Sequence, residues 1–190
     1  MATDNNASSG RIDFVIADGV ASVTINRPVK RNALTQAMWA ELAEIVEDAG
    51  SRSGVVLIRG AGTDFSAGAD IAEFSTLRAE LRAQDGEPES PAAFAAIRNC
   101  AVPTIAAIRG ICFGGGFGIA AACDIRIGTA DSTYCVPAAR LGLAYPVDAM
   151  RDIVQSCGPQ MARWLTFSGR RMDAARALSC GFLSDVVAGE

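Results

Sequence analysis

At 190 residues the chain fits one good-sized domain, and with 50% of its residues hydrophobic it has ample material for a core. A net charge of −4 with no basic face argues against nucleic acid as the main partner. There is no histidine, which excludes a Ser-His-Asp triad, a Cys-His pair, H-E-x-x-H zinc chemistry and every histidine general base.

Residues 1–10 are polar and lack the basic-then-apolar pattern of a secretory signal. They are expected to be a disordered N-terminus, with the folded domain at 11–190. No apolar run is long enough to span a membrane, because Arg or Asp interrupts each one. Cys100, Cys112, Cys123, Cys135, Cys157 and Cys180 lie far apart with no C-x-x-C. They read as reduced thiols of a cytoplasmic protein, with neither a disulfide frame nor a metal site.

Ile12 to Ile16 and Val20 to Ile25 read as strands, joined by the hairpin signal Asp18-Gly19. A basic loop follows, Arg27 to Leu34. Thr35 is a candidate N-cap for a helix to about Ala49. That helix has Met38, Leu42, Ile45, Val46 and Ala49 on one face and Glu41, Glu44, Glu47 and Asp48 on the other, and Gly50 is expected to stop it. Val55 to Ile58 is a short apolar strand of the kind buried on both faces. Phe65 to Asp70 is a small-residue loop that feeds a helix starting near Ile71. Residues 78–91 are the most polar stretch and read as a mobile lid or connection. Pro91 to Asn99 is expected to be helical.

Pro103 to Ile108 is a strand, and it leads into Cys112-Phe113-Gly114-Gly115-Gly116-Phe117-Gly118 and an apolar run to Cys123. Glycines here do not serve helix propensity, since each costs roughly 1 kcal/mol against alanine inside a helix. They suit a sharp turn or a close backbone approach. The pattern is strand, glycine turn, helix N-terminus, whose free N–H groups stabilise a negative oxygen. That oxygen could belong to a phosphate or to a carbonyl becoming an oxyanion. A tight, closely packed joint is the plain alternative. The stretch is not a Walker loop, because no Lys-Ser/Thr follows, and it is a poor dinucleotide fingerprint. Strands at Asp124 to Ile127 and Thr133 to Val136 come next, then an irregular stretch from Pro137 to Pro146. Asp148 to Cys157 is a helix, and Pro159 opens another through Phe167. Asp173 caps a short helix to about Ser179, and Phe182 to Val187 is a final strand. The order is α/β, repeated about three times over.

Phe65-Ser66-Ala67-Gly68-Ala69-Asp70-Ile71, then Gly114-Gly115-Gly116, then Cys123-Asp124-Ile125-Arg126, together resemble the crotonase (enoyl-CoA hydratase/isomerase) superfamily. Asn26-Arg27-Pro28 to Arg31-Asn32-Ala33-Leu34, and Leu141-Gly142-Leu143, agree with it. No one motif is specific, but five in order are. The resemblance implies a crotonase-like spiral of ββα units that binds an acyl-CoA thioester. Coenzyme A would enter as part of the substrate, with no separate cofactor and no metal. It implies that the amides of Ala69 and Gly115 hold the thioester oxygen as it becomes an enolate. It also implies that Lys30, Arg31, Ala33, Ala67, Asp70 and Ile71 lie along the coenzyme A, with Arg27 in the same basic loop. Asp70 and Asp124 match mostly structural positions of the family, and Asp70 is a candidate cap for the helix after it.

The sequence departs from the family's hydratases at two places. Where they carry a glutamate two residues after the glycine triplet, this chain has Gly118. Where they carry one after the next strand's proline, it has Ala138. Glycine and alanine cannot replace a carboxylate acid–base pair, so ordinary hydration is not expected. Tyr145, Asp148, Arg140, Cys112 and Cys135 remain near the expected pocket. Tyr145, in Leu141-Gly142-Leu143-Ala144-Tyr145, resembles a tyrosine of some decarboxylases of the superfamily. The alternatives are a wall residue at Tyr145 and an N-cap at Asp148. By the resemblance, the chain is also expected to lack most of the family's C-terminal helical region. Self-association, as a trimer, a dimer of trimers or another contact, is therefore expected. A lyase or isomerase acting on acyl-CoA, a malonyl-type acyl-CoA decarboxylase and a non-catalytic acyl-CoA-binding paralogue are the readings carried forward.

Overall fold

The structure is a computed structural model and describes residues 10–73 and 91–189. Residues 1–9 of the expected disordered tail and all but the end of the expected lid lie outside the described residues. The strands are β1 (Arg11–Ala17), β2 (Val20–Asn26), β3 (Val55–Gly60), β4 (Thr104–Ile108), β5 (Ile111–Phe113), β6 (Ile125–Thr129), β7 (Thr133–Cys135), β8 (Met172–Asp173) and β9 (Asp185–Val187). The helices are α1 (Gln36–Arg52), α2 (Ala92–Arg98), α3 (Gly115–Ala122), α4 (Val147–Ser168) and α5 (Ala174–Ser179), with helical backbone also at 71–73. Short 3-10 turns lie at Pro28–Lys30 and Ala138–Leu141.

A six-stranded sheet runs β1-β2-β3-β4-β6-β9, antiparallel at β1/β2 and parallel elsewhere. A smaller sheet runs β5-β7-β8 and is extended by the bridges Ser66–Cys112 and Leu34–Ala69. Each circuit of the chain repeats one plan. A strand enters the large sheet, a shorter segment enters the small sheet, and a helical element follows. β2, Leu34 and α1 make one circuit; β3, the 66–69 segment and the helix at 71 make the next. β4, β5 and α3 follow, then β6, β7 and the turn into α4. This is the expected ββα spiral.

Local chemistry places the boundaries. Asp18 and Gly19 both take positive φ, as a two-residue hairpin turn requires. The Thr35 hydroxyl accepts from the Met38 amide at 3.2 Å and starts α1. Asp173 accepts from the Arg176 amide at 2.8 Å and starts α5. Gly158, non-helical in backbone, breaks α4 before Pro159, so the two expected helices are two arms of one element. The core lies between the large sheet and α1 and α3. Val23, Ile25, Val56, Ile58 and Ala106 meet Leu42, Val46, Phe117 and Ile119 there, all fully buried.

Four expectations need correction. Gly50 does not stop α1, which runs on to Arg52. A Cβ at Gly50 would stand 2.8 Å from Cys100 Sγ, so its glycine serves packing. β3 is not buried on both faces: Val56 and Ile58 are sealed while Val55 and Leu57 keep some exposure, because the core packs on one side of the sheet. Glu41 is not simply solvated, since it accepts from the Ile12 amide at 3.1 Å. Asp148 is not an N-cap; the cap position of α4 is Pro146, and Asp148 pairs with Arg98 at 3.5 Å.

Asn32 joins the first two circuits. It is fully buried with φ 55°, a left-handed conformation that asparagine tolerates better than most residues. Its side-chain oxygen accepts from the Arg27 amide at 2.9 Å, and its amide group donates to the carbonyls of Ala61 (2.8 Å) and Asp64 (2.7 Å). Removing it leaves buried backbone groups unpaired, at about 1–3 kcal/mol for each such group. Asn32→Ala is therefore expected to lower unfolding free energy by about 2–4 kcal/mol. Urea denaturation checks this, and a loss under about 1 kcal/mol would contradict the role.

Candidate functional site

The site forms where the second and third circuits touch. The Ser66 hydroxyl donates to the Asn32 carbonyl at 2.7 Å and accepts from the Gly68 amide at 3.0 Å. Leu34 donates to the Gly68 carbonyl and accepts from the Asp70 amide, both at 2.8 Å. In a parallel pairing of that kind the amide of the residue between, Ala69, faces away from Leu34. Among the described residues the Ala69 amide has no acceptor.

The third circuit supplies a second such group. Gly114 takes φ 54° and ψ −119°, a turn that suits glycine, and directs the chain from β5 into α3. Its own amide is held by the Cys135 carbonyl at 2.9 Å. The amide of Gly115, first in α3, is one of the helix's orphan donors and has no acceptor among the described residues. The two segments meet through backbone. A Cβ at Gly68 would stand 2.7 Å from the Gly115 nitrogen, and one at Gly115 would stand 3.5 Å from the Ala69 nitrogen. Two unpaired amides thus lie side by side, backed by the positive end of α3.

Two polar clamps hold the far end of α3. Arg126 is buried and donates to the carbonyls of Cys123 (2.6 Å), Ala120 (3.3 Å) and Phe182. It places a cation at the negative end of α3, where it is favourable. Asp124 accepts from both the amide (2.8 Å) and hydroxyl (2.9 Å) of Thr104, tying β4 to the exit of α3. That agrees with a structural part for Asp124.

Tyr145 comes to the same turn. Its hydroxyl lies 3.7 Å from where a Cβ of Gly114 would stand, and it has no hydrogen-bond partner among the described residues. Burial, with Cys135 nearby, pushes its phenol pKa up, so it stays protonated at physiological pH. The other pocket candidates are engaged elsewhere. Cys112 is in the core, and burial keeps its thiol protonated. Cys135 is buried and contacts the Gly169 carbonyl at 3.3 Å. Arg140 lies against Gly169, where a Cβ would stand 2.9 Å from its Cγ.

Neither Gly118 nor Ala138 offers an acid–base group, and both are buried. The space beside Gly118 is also taken: a Cβ there would stand 2.5 Å from Phe94 Cζ. A glutamate at that position would have to displace the Phe94 ring.

The basic loop divides in two. Arg27 is buried and pairs with Asp70 at 2.6 Å while donating to the Ala33 carbonyl at 3.2 Å, so it braces the loop and is not free for a phosphate. Lys30 and Arg31 are exposed and outside any ion pair of the described residues, though the Lys30 charge acts on the Asp70 carboxylate. Ala33 is buried, and its amide donates to Lys30. Ala67 donates to the Arg31 carbonyl at 2.8 Å, and Ile71 is exposed. Asp70 accepts from the Ala72 amide at 3.0 Å, which fits the cap expected of it. Asn32 and Ser66, which position the loop, were legible only as members of a motif. Trp39 and Phe94 carried no motif at all.

The sequence matches the enoyl-CoA hydratase/isomerase family over residues 15–190. The chain belongs to that family. It is 36% identical over 185 residues to the mitochondrial Delta(3,5)-Delta(2,4)-dienoyl-CoA isomerase of Mus musculus, covering 88% of this chain and 55% of that protein. It is 33% identical over 172 residues to a hexahydro-indene-carboxyl-CoA hydrolase of Mycobacterium tuberculosis, covering 89% and 68%. A solved enoyl-CoA hydratase/carnithine racemase of Magnetospirillum magneticum superposes with TM-score 0.86 at 37% identity, covering 93% of this chain and 68% of that one. The chain thus spans about half the length of the dienoyl-CoA isomerases it matches. Among the described residues no helix is long and apolar enough to cross a membrane, and no cluster of side chains could hold a metal.

The Arg27–Asp70 pair gives a pH prediction. The hydrogen bond from Arg27, helped by the Ala72 amide, holds the Asp70 carboxyl below its ordinary range. A carboxylate whose folded pKa is depressed stabilises the fold above its unfolded value, near 4, and loses that contribution as pH falls through the folded value. The stability difference between the native chain and Asp70→Asn should be constant above about pH 5 and shrink below pH 4. A difference independent of pH in urea melts would contradict the pair.

Proposed function

We propose that this chain binds an acyl-CoA thioester and stabilises its enolate oxygen between the amides of Ala69 and Gly115. The observation that carries the reading is the pair of unpartnered amides set side by side by glycine-rich backbone. Small residues are needed there because a carbonyl must approach the chain itself. Preorganised donors of this kind contribute roughly 3–4 kcal/mol each to an oxyanion transition state. Lys30 and Arg31, exposed on the basic loop, suit the coenzyme A phosphates. Ala67, Asp70, Ile71 and Ala33 would flank the coenzyme A by backbone and packing, the Asp70 carboxylate being engaged by Arg27. The exposed apolar side chains of Phe167, Val147 and Ile71 support self-association.

Hydration is disfavoured on two grounds. No carboxylate stands at Gly118 or Ala138, and the Phe94 ring occupies the space beside Gly118. The free phenol of Tyr145 favours a second reading, decarboxylation of a malonyl-type thioester. In that step the bond between the α-carbon and the carboxylate breaks. Its electron pair passes through the α-carbon to the thioester oxygen, CO₂ leaves, and a proton then returns to the α-carbon. Tyr145 would supply that proton and recover one from water.

One comparison tests both readings. Crotonyl-CoA hydration is expected to fall far below the usual enzyme range of roughly 1–1000 per second. On a malonyl-type thioester, Tyr145→Phe is expected to lower turnover roughly 10²–10⁴-fold while coenzyme A affinity holds. Saturable coenzyme A binding without turnover of any thioester would leave a binding paralogue. Absence of binding would overturn the proposal.

A further inference from the structure

Trp39 and Phe94 occupy the face of α3 that leads away from the two amides. Gly115 and Gly118 are one turn apart and share that face. A Cβ at Gly115 would stand 2.8 Å from Trp39 Cζ2 and 3.0 Å from Cη2, and the same position is 3.5 Å from the Ala69 nitrogen. The edge of the Trp39 indole therefore stands over the first residue of α3, next to both amides. One turn further on, Phe94 stands over Gly118. The two rings meet edge to face, with centroids 5.5 Å apart and planes at 82°, a favourable aromatic geometry. Phe94 is buried, whereas Trp39 is only partly so. The indole N–H has no acceptor among the described residues.

The room that two glycines open along α3 is thus filled by rings from α1 and α2. Trp39 is backed by Phe94 and cannot retreat along that face without displacing it.

We infer that Trp39, backed by Phe94, is a specificity-determining wall that ends the acyl pocket and selects thioesters with short acyl groups. The inference rests on the reading of the Ala69 and Gly115 amides as the thioester site. Chain length is discriminated by how the outermost methylenes fit, and one methylene against a fixed wall changes specificity roughly 10–200-fold.

The chain has two tryptophans, so Trp164→Phe leaves Trp39 as the sole indole and makes it a direct probe. Trp164 stacks on Arg176, with the guanidinium 3.9 Å from the ring centroid. That full-length variant is titrated with free coenzyme A, butyryl-CoA and decanoyl-CoA. Butyryl-CoA is expected to shift or quench Trp39 emission, and free coenzyme A to bind without doing so. Decanoyl-CoA is expected to bind at least tenfold more weakly than butyryl-CoA. In the otherwise native chain, Trp39→Ala should erase that preference while free coenzyme A binds as before, and Trp39→Phe should retain most of it. Trp39→Leu replaces the alanine variant should the latter fail to fold. Thioesters that bind with no response from Trp39, or with the same chain-length profile after its truncation, would overturn the wall and leave the amide site standing. Failure of both coenzyme A and thioester to bind would remove the site and the wall together.

Discussion

The site depends on backbone lying against backbone. The Gly68 and Gly115 segments approach so closely that one added methyl carbon would stand 2.7 Å from a main-chain nitrogen. That contact brings two amides together without side chains between them. It also has a cost, since glycine loses more conformational freedom on folding than any other residue. The surroundings offset it. Asn32 ties the first circuit to the second through three hydrogen bonds, and Ser66 passes that order on to Gly68. On the third circuit, Arg126 and Asp124 fix the far end of α3. The polar groups of the core sit where the circuits must be held in register.

The electrostatics have the same division. Arg27 and Asp70 are paired into the scaffold, Arg98 and its aspartates sit beyond the site, and Lys30 and Arg31 are exposed. The side chains placed along the start of α3 are apolar or neutral: Trp39 against Gly115, Phe94 against Gly118, and near Gly114 the Tyr145 phenol, held protonated by burial. Such surroundings strengthen hydrogen bonds to a developing negative oxygen, because little water competes for it. They also leave no carboxylate among the described residues there to activate a water. On the proposed reading, the arrangement suits forming an enolate more than activating a water for addition to an enoyl thioester.

Much of the fold was legible in the sequence, and for stated reasons. The Asp18-Gly19 turn, the Thr35 and Asp173 caps and the glycine run before α3 are local signals, decided by residues a few positions apart. The ββα spiral rests on resemblance across several motifs, since the order of strands and helices alone says only α/β. What was missed depends on distant partners. Gly50 reads as a helix stop until Cys100 is seen against it. Arg27 reads as a phosphate ligand until Asp70, 43 residues on, is seen to bind it. Trp39 and Phe94 sit 55 positions apart and stand in no motif. Nothing local shows that their rings close one face of α3. The missing carboxylates at Gly118 and Ala138 were legible, but the ring that fills the space of the first was not.

The central claim is that the Ala69 N–H acts on the substrate oxygen. Replacing the amide before Ala69 by an ester, with the alanine side chain kept, removes that one donor. The Ala69 N–H is not used within the described fold, so stability should fall only by the weakening of the Gly68 carbonyl as acceptor from the Leu34 amide, and coenzyme A affinity should change little. Turnover on the best thioester found should fall roughly 10²–10³-fold. Turnover unchanged in a folded ester variant would contradict the account.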